Sequence, residues 1–459
     1  MVKIGYGKAV VTPPIGSGLV GYFEKRISKG VKDDLFVHCL CFDNGDNKPV
    51  FILSADFCWI EPSLLRNVIR LVEEKLGIQN PNIVIHATHT HTGPLTGVNE
   101  NSIFVKDVPL NEEYISQLPV RFMEAIEHAY RIRDNILIGF GYAEVEGISF
   151  IRRYRMKDGT VITNPVRKDE IIEPCGNLDR TLNIMKLEDE RGKIKCIAMN
   201  FAMHPDTIGG EFISGDWPAI LVDRVSKYFN CGAMFFNGPS GDINHINPYD
   251  MDTRGPKITE RIVSTLFEKV KNVVGSVICK PYEKIAFSQD IIKMPKRVIT
   301  SEQIEQARKD IERYPSTNLK AIIARSILKQ AAIKEDFIPN RVSLFSIDRI
   351  FEAFFMSGEP FSDIGIRIKQ LMGFENKWVI ENCDDYVGYI PDENAFMAAE
   401  ENRRIKGEEF PSVDVFESIG MEASYETSPI PCRVGVQAAQ SLISGFQKLR
   451  EIHINKFYA

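Results

Sequence analysis

Short runs rich in β-branched and aromatic residues alternate with segments of helical spacing along the whole chain, and no other feature constrains the fold as much. The strand-like runs fall at 35–42, 50–57, 82–88, 136–145, 181–187, 194–203, 233–236, 342–347 and 351–356. Between them, Leu64, Leu65, Val68, Ile69, Val72 and Leu76 keep the spacing of one helix face, and Gly77 ends it. Ile115, Leu118, Phe122 and Ile126 mark a second helix. Ile258, Ile262, Leu266, Val270 and Val273, begun by Pro256, mark a third, and 434–452 reads as a closing helix. Neither an internal period nor a linker composition divides the chain. The expected class is therefore α/β: layered mixed β-sheets flanked by helices, an αββα-like sandwich, in one domain over 1–459. Residues 301–335 are helical, charged and without strands, so they read as an insertion, either a pocket cover or a contact between copies.

Composition narrows the function class. The 459 residues are 44% hydrophobic and 26% charged, and the apolar runs are too short to cross a bilayer. A net charge of −6 leaves no basic footprint for nucleic acid. The first residues lack the layout of a signal peptide. Nine scattered cysteines without a Cys-x-x-Cys pair read as reduced, mostly buried thiols. The expectation is a cytoplasmic enzyme of small molecules, without a transmembrane segment and a candidate homo-oligomer.

Three apolar strands run out into residues that can carry chemistry. Thr88-His89-Thr90-His91-Thr92-Gly93-Pro94 follows Ile83-Val84-Ile85, and on an extended strand His89 and His91 would project to one face. His86, of opposite parity, reads as a packed histidine. Two polar residues on a turn is the alternative for the pair. His204, extended before Pro205, ends the run 194–203. Glu359, between Gly358 and Pro360, stands where a strand turns into a helix; a dipole-favoured acid at a helix start is its plainer reading. Two histidines and one glutamate with an open fourth position form a known catalytic zinc shell. Two further segments can complete a pocket. The turn Asn237-Gly238-Pro239-Ser240-Gly241-Asp242-Ile243-Asn244 brings backbone N–H groups close to a ligand, with Gly241 and Asp242 as the candidate substrate-binding pair. Arg152, in Ile151-Arg152-Arg153-Tyr154-Arg155, offers a guanidinium to a carboxylate or a developing oxyanion; a basic surface strand is the other reading.

In this order, these tips resemble the catalytic domain of the neutral/alkaline non-lysosomal ceramidases. The matching pieces are Gly7-Lys8-Ala9-Val10-Val11-Thr12-Pro13, Ser54-Ala55-Asp56, Ala87 to Pro94, Met203-His204-Pro205, Gly241-Asp242-Ile243-Asn244 and Gly358-Glu359-Pro360. The resemblance implies Zn²⁺ held by His89, His204 and Glu359. A tyrosine of Asp385-Tyr386-Val387-Gly388-Tyr389-Ile390 would be the fourth ligand, Tyr389 preferred and Tyr386 the alternative. It also implies that His91 contacts substrate or moves protons and that Arg152 helps polarise the scissile carbonyl; Tyr386 and Asn244 join the candidate catalytic set.

Some residues depart from the family pattern. Asn244 stands where the ceramidases have a serine, so a serine nucleophile would have to be Ser240, and Ile151 stands where they have asparagine. The chain is expected to be a single-domain relative without the immunoglobulin-like domain of secreted members. The implied activity is hydrolysis of an amide, N-acyl bond by metal-activated water, on a small-molecule or lipid-like acyl substrate that need not be ceramide. The rivals are a catalytically silent metal- or ligand-binding relative, and a metal-dependent hydrolase of an ester, lactone or sugar derivative.

Overall fold

The computed structural model describes residues 1–458 apart from 23, 47, 98–107, 316–317 and 407–424. Local rules account for its elements. The strands Val50–Ala55 and Asn82–Ala87 are apolar on both faces and buried along nearly their whole length, as parallel neighbours covered on both sides must be. The helix Pro62–Leu76 starts with proline in its first turn, buries Leu64, Leu65, Val68 and Val72, and stops at Gly77, whose φ of 70° is left-handed.

One plan recurs three times along the chain. Three antiparallel strands are followed by a helix that crosses over to a fourth strand parallel to the third, and a further helix then covers the sheet. The first unit comprises Lys3–Val10, Phe36–Asp43 and Val50–Ala55, the helix Pro62–Leu76, the strand Asn82–Ala87 and the helix Glu112–Arg131. The second uses Leu137–Glu144, Thr181–Glu188 and Ile194–Phe201, the helix Asp216–Phe229, the strand Gly232–Asn237 and the helix Ile258–Ser276. The third uses Ile285–Pro295, Phe337–Ile347 and Phe351–Met356, the helix Ser362–Leu371, the strand Asn376–Ile380 and the helix Ala438–Tyr458. The repetition is topological and leaves no visible period in the sequence.

The expected layered class of mixed sheets flanked by helices holds, with its inner layer shared by three sheets. Their inward faces meet in one core. Ile4, Phe42 and Ile52 come from the first unit, Met185, Ala198 and Phe236 from the second, and Phe345, Phe351 and Trp378 from the third. The outward faces each pack under their own helices in separate clusters. Among the described residues no helix is long and apolar enough to cross a membrane. Residues 301–335 hold two helices, Ser301–Arg313 and Leu319–Ala331, inside the hairpin between Ile285–Pro295 and Phe337–Ile347; residues 316–317 of that span lie outside the described residues. Ala307, Ile323, Ala324 and Ile327 pack with Ile430 beneath them.

The three parallel pairs all end on one side of the molecule, and there the chain turns polar. Asp56, just past Val50–Ala55, is buried and accepts hydrogen bonds from the Phe36 N–H at 2.9 Å and the Thr88 hydroxyl at 3.4 Å. Burial pushes its carboxyl up to about 7, against the pull of the Phe36 N–H. The folded state then favours the protonated acid, an advantage complete below the unfolded value near 3.9 and lost as pH climbs to about 7. Asp56→Asn is expected to match wild type at pH 4 and to exceed it at pH 9 by up to about 4 kcal/mol, checked by denaturant unfolding at both values. Equal offsets at the two pH values would show an Asp56 that ionises normally.

Candidate metal centre

One residue from each unit reaches a common point. His89 follows the fourth strand of the first unit; His204 and Glu359 follow the third strands of the second and third units. The extended geometry expected for His89 is not what the chain adopts. The strand ends at Ala87, and His89 has φ 71°, a left-handed conformation rare outside glycine, with its N–H donated to the Phe57 carbonyl at 2.8 Å. Glu359 is placed by Gly358, whose φ is 81° and where a Cβ would lie 2.6 Å from the Gly388 carbonyl oxygen. Its N–H donates to that same carbonyl at 3.0 Å.

The three residues are 2, 1 and 1% exposed, and their side chains converge tightly. His89 Nε2 lies 3.3 Å from His204 Nε2, and Glu359 Oε2 lies 3.2 Å from the first and 3.3 Å from the second. His89 Nδ1 faces the Cys58 carbonyl at 2.7 Å and His204 Nδ1 the Ser240 carbonyl at 3.0 Å. A carbonyl oxygen can only accept, so each Nδ1 carries the proton and each Nε2 presents a lone pair. Three acceptors therefore face one another, and among the described residues Glu359 Oε2 has no hydrogen-bond donor. Such a cluster requires a cation or a proton between its members. A tetrahedral zinc shell with bonds of about 2.0–2.1 Å has edges of about 3.3–3.4 Å, the separations found here. The donor set fits the metal. Cys58, His89 and His91 form a second group of convergent donors, but the His89 Nδ1 on that side is spent on the Cys58 carbonyl.

Electrostatics agrees with geometry. Burial works against ionisation throughout, yet Glu359 holds the His89 imidazolium well above the usual histidine range. In turn, burial is outweighed for Glu359 by His89 and His204, which hold its carboxyl well below the usual range. Burial lowers His204 to about 4 and His91 well below the usual value. Without another cation, the cage holds one proton beside its carboxylate.

The tyrosines divide the work. Tyr389 OH stands 3.4 Å from His204 Nε2, on the same edge length as the three-residue set. Tyr386 OH donates to the other Glu359 oxygen, Oε1, at 2.7 Å, and its ring stacks on Trp59. His91 Nε2 is 3.4 Å from His89 Nε2, while His91 Nδ1 faces Asp206 Oδ1 at 3.6 Å without a hydrogen bond. Arg152 donates from Nε to Glu426 Oε1 at 2.8 Å and from Nη2 to the Gly241 carbonyl at 2.7 Å, with its guanidinium over the Tyr389 ring.

Other expected residues have inward commitments. Asn244 donates to Asn164 Oδ1 at 2.9 Å and accepts the Ile246 N–H at 3.0 Å, so its amide is already engaged at both ends. Asp242 accepts the Ser362 N–H at 2.7 Å, capping the helix Ser362–Leu371, and a Cβ at Gly241 would lie 2.5 Å from the Glu359 carbonyl oxygen. Their contacts are structural. Ser240, the hydroxyl that would have to replace the family serine as nucleophile, is fully buried and donates to Glu381 Oε1 at 2.6 Å. His86 packs inward, accepting the Asn237 N–H at 2.9 Å. Reasoning from sequence missed Glu381, Glu426 and Trp59. Glu381 carried a signal, an acid directly after the apolar run Trp378-Val379-Ile380, in the same setting as the other tips.

Comparison with known proteins bears on family resemblance and fold. Residues 2–220 match the family described as neutral/alkaline non-lysosomal ceramidase, N-terminal. A 96-residue segment is 30% identical to the neutral ceramidase of Drosophila melanogaster and 29% identical to that of Drosophila pseudoobscura pseudoobscura. That segment is 20% of this chain and spans only 14% of the length of each fly protein. The fold matches the crystal structure of neutral ceramidase from Pseudomonas aeruginosa with a TM-score of 0.70 and 13% identity, over 100% of this chain and 75% of that one. A solved ceramidase complexed with C2 gives a TM-score of 0.72 and 13% identity, over 99% and 76%. Residues 2–220 thus resemble the neutral/alkaline non-lysosomal ceramidases, and the whole chain carries the fold of the Pseudomonas aeruginosa protein.

Proposed function

We propose that the chain is a zinc-dependent hydrolase that cleaves an N-acyl amide bond. The observation that carries this reading is the facing of two imidazole lone pairs and one bare carboxylate oxygen within 3.2–3.3 Å, each imidazole oriented by a backbone carbonyl. His89, His204, Glu359 and Tyr389 would hold Zn²⁺, which, when bound, acidifies water and polarises a carbonyl. The remaining groups do the positioning. His91, kept neutral by burial and next to the cage, accepts the proton from the attacking water and returns it to the leaving amine. Arg152, fixed by Glu426 and always charged, steadies the oxyanion. The commitments of Ser240 and Asn244 favour water over a serine nucleophile.

The substrate is an N-acyl compound with a lipid-like or smaller acyl group. We retain the reading of 1–459 as one catalytic domain, in which the helices at 301–335 are the candidate contact between copies. Nine free cysteines support a reducing, cytoplasmic setting. The test is a panel of N-acyl amides, esters, lactones and glycosides, assayed with and without a chelator. N-acyl amides are expected to turn over, to lose turnover on chelation and to regain it with zinc. Chelator-insensitive turnover contradicts the reading, and tight binding of amides without turnover replaces it with the catalytically silent one.

A further inference from the structure

Next to the cage lies a buried polar hub to which all three units contribute. Ser54 and His86 come from the first unit, Asn237 and Ser240 from the second, and Glu381 from the third; all are at most 1% exposed. His86 Nε2 accepts the Asn237 N–H at 2.9 Å, so its Nδ1 carries the proton and donates to Ser54 Oγ at 3.0 Å. The Ser54 hydroxyl passes on to the Phe235 carbonyl at 2.6 Å. Asn237 spends its Oδ1 on the Met203 N–H at 3.2 Å and its Nδ2 on Glu381 Oε1 at 3.1 Å.

Glu381 grips Ser240 at two points. Its Oε2 accepts the Ser240 N–H at 3.0 Å and its Oε1 the Ser240 hydroxyl at 2.6 Å. The carbonyl of the same serine accepts His204 Nδ1–H at 3.0 Å. The other end of that peptide group is held too, because the Gly241 N–H donates to the Pro360 carbonyl at 3.0 Å, next to Glu359. The orientation of His204 thus depends on one peptide group, and Glu381 fixes the residue that supplies its carbonyl. A buried carboxyl is costly, and cross-links between units could be made by neutral groups, as His86 and Asn237 show. The placement of an acid here has a consequence for the ligand above it.

We propose that Glu381 is a positioning residue of the metal centre: by locking Ser240 it fixes the tautomer and the aim of His204, and so sets the affinity of the cage for its cation. The inference rests on the metal-centre reading above. Groups that orient a metal-bound imidazole through its second nitrogen change metal affinity about 10- to 100-fold when removed.

The test measures zinc affinity of the metal-stripped full chain by competition with a chromophoric chelator, together with the visible spectrum of the Co²⁺-loaded form and the melting temperature. Glu381→Gln, which cannot accept from both Ser240 groups, is expected to weaken zinc binding about 10- to 100-fold and to shift the Co²⁺ bands. Ser240→Ala keeps the carbonyl and removes only the hydroxyl link, so a smaller loss, at least about threefold, is expected. Should Glu381→Gln fail to fold, Ser240→Ala decides alone. The control is Glu352→Gln, in the same third sheet, whose buried carboxylate pairs with Arg450 at 2.8 Å away from the cage; it should lower the melting temperature and leave zinc affinity unchanged. Wild-type affinity in folded Glu381→Gln, or in Ser240→Ala where that variant decides, overturns the proposal. A wild-type chain that binds no zinc overturns the metal-centre reading instead.

Discussion

Replacing Glu359 with glutamine is expected to reduce bound zinc from about one per chain to below about a tenth, and to lower N-acyl amide turnover at least about a thousandfold, a barrier increase of about 4 kcal/mol. The geometry sets this size. Glu359 Oε1 is already held by the Tyr386 phenol, and Oε2 is the bare oxygen facing both imidazoles. Glutamine must give its NH₂ either to the phenol or to the cage, and a group without a lone pair at the cage is no ligand. It also removes the negative charge that balances the cation. Tyr386→Phe separates the two oxygens, because it leaves Oε2 in place and removes only the support of Oε1. Its zinc affinity should fall about 10- to 100-fold while near-full occupancy survives in excess zinc. Metal analysis by inductively coupled plasma spectrometry and amide turnover measure both variants. Glu359→Gln with undiminished zinc would remove Glu359 from the shell.

Arg152→Ala should be the most damaging change outside the ligands. Its guanidinium and the Glu426 carboxylate meet at 2.8 Å, 8 and 0% exposed at their side chains. Truncating the arginine leaves the buried carboxylate with the Thr163 hydroxyl, 3.1–3.2 Å away, and the more distant Arg153 guanidinium at 3.7 Å. The expected destabilisation is about 3 kcal/mol, the low end for breaking a buried ion pair, because Arg153 still faces the carboxylate. Lost turnover in that variant would be ambiguous on its own. The triple variant Arg152→Met, Arg153→Met, Glu426→Gln resolves it, since neutral groups of similar volume in place of the whole buried Arg–Glu–Arg cluster should recover most of the stability. Turnover should remain at least about 100-fold below wild type, the scale of losing one oxyanion donor. Urea unfolding and steady-state kinetics on the three proteins distinguish the outcomes. Recovery of turnover along with stability would make Arg152 a structural residue.

Much of the donor cluster was legible in the sequence because each proposed ligand follows an apolar strand, and strand ends are where a rigid scaffold can present polar groups. His89, His204 and Glu359 share that setting, and the structure brings all three to one point. The backbone route was not legible. His89 is turned by a left-handed residue that the sequence shows only as another histidine after a threonine. The strands that escaped notice did so for physical reasons. Lys3–Val10 carries Gly5 and Gly7, which signal poor strand propensity; they are there because the helix Glu112–Arg131 approaches so closely that a Cβ would lie 1.9–2.1 Å from its carbonyl oxygens. Ile285–Pro295 exposes Gln289, Asp290 and Ile291 on an edge of its sheet, which breaks the apolar pattern. The threefold plan left no trace because strand order is set by which hydrophobic faces meet, and many sequences satisfy the same meeting. Gly241 and Asp242 attract attention in the sequence as a ligand-binding turn, yet the same features serve close packing and helix capping.

Anomalous X-ray scattering from a zinc-replete crystal, recorded on both sides of the zinc absorption edge, tests the central claim most directly. The account predicts one strong peak per chain that vanishes below the edge, about 2.0–2.2 Å from His89 Nε2, His204 Nε2 and Glu359 Oε2. No peak between these three atoms, or a zinc peak bound elsewhere in the chain, would contradict it.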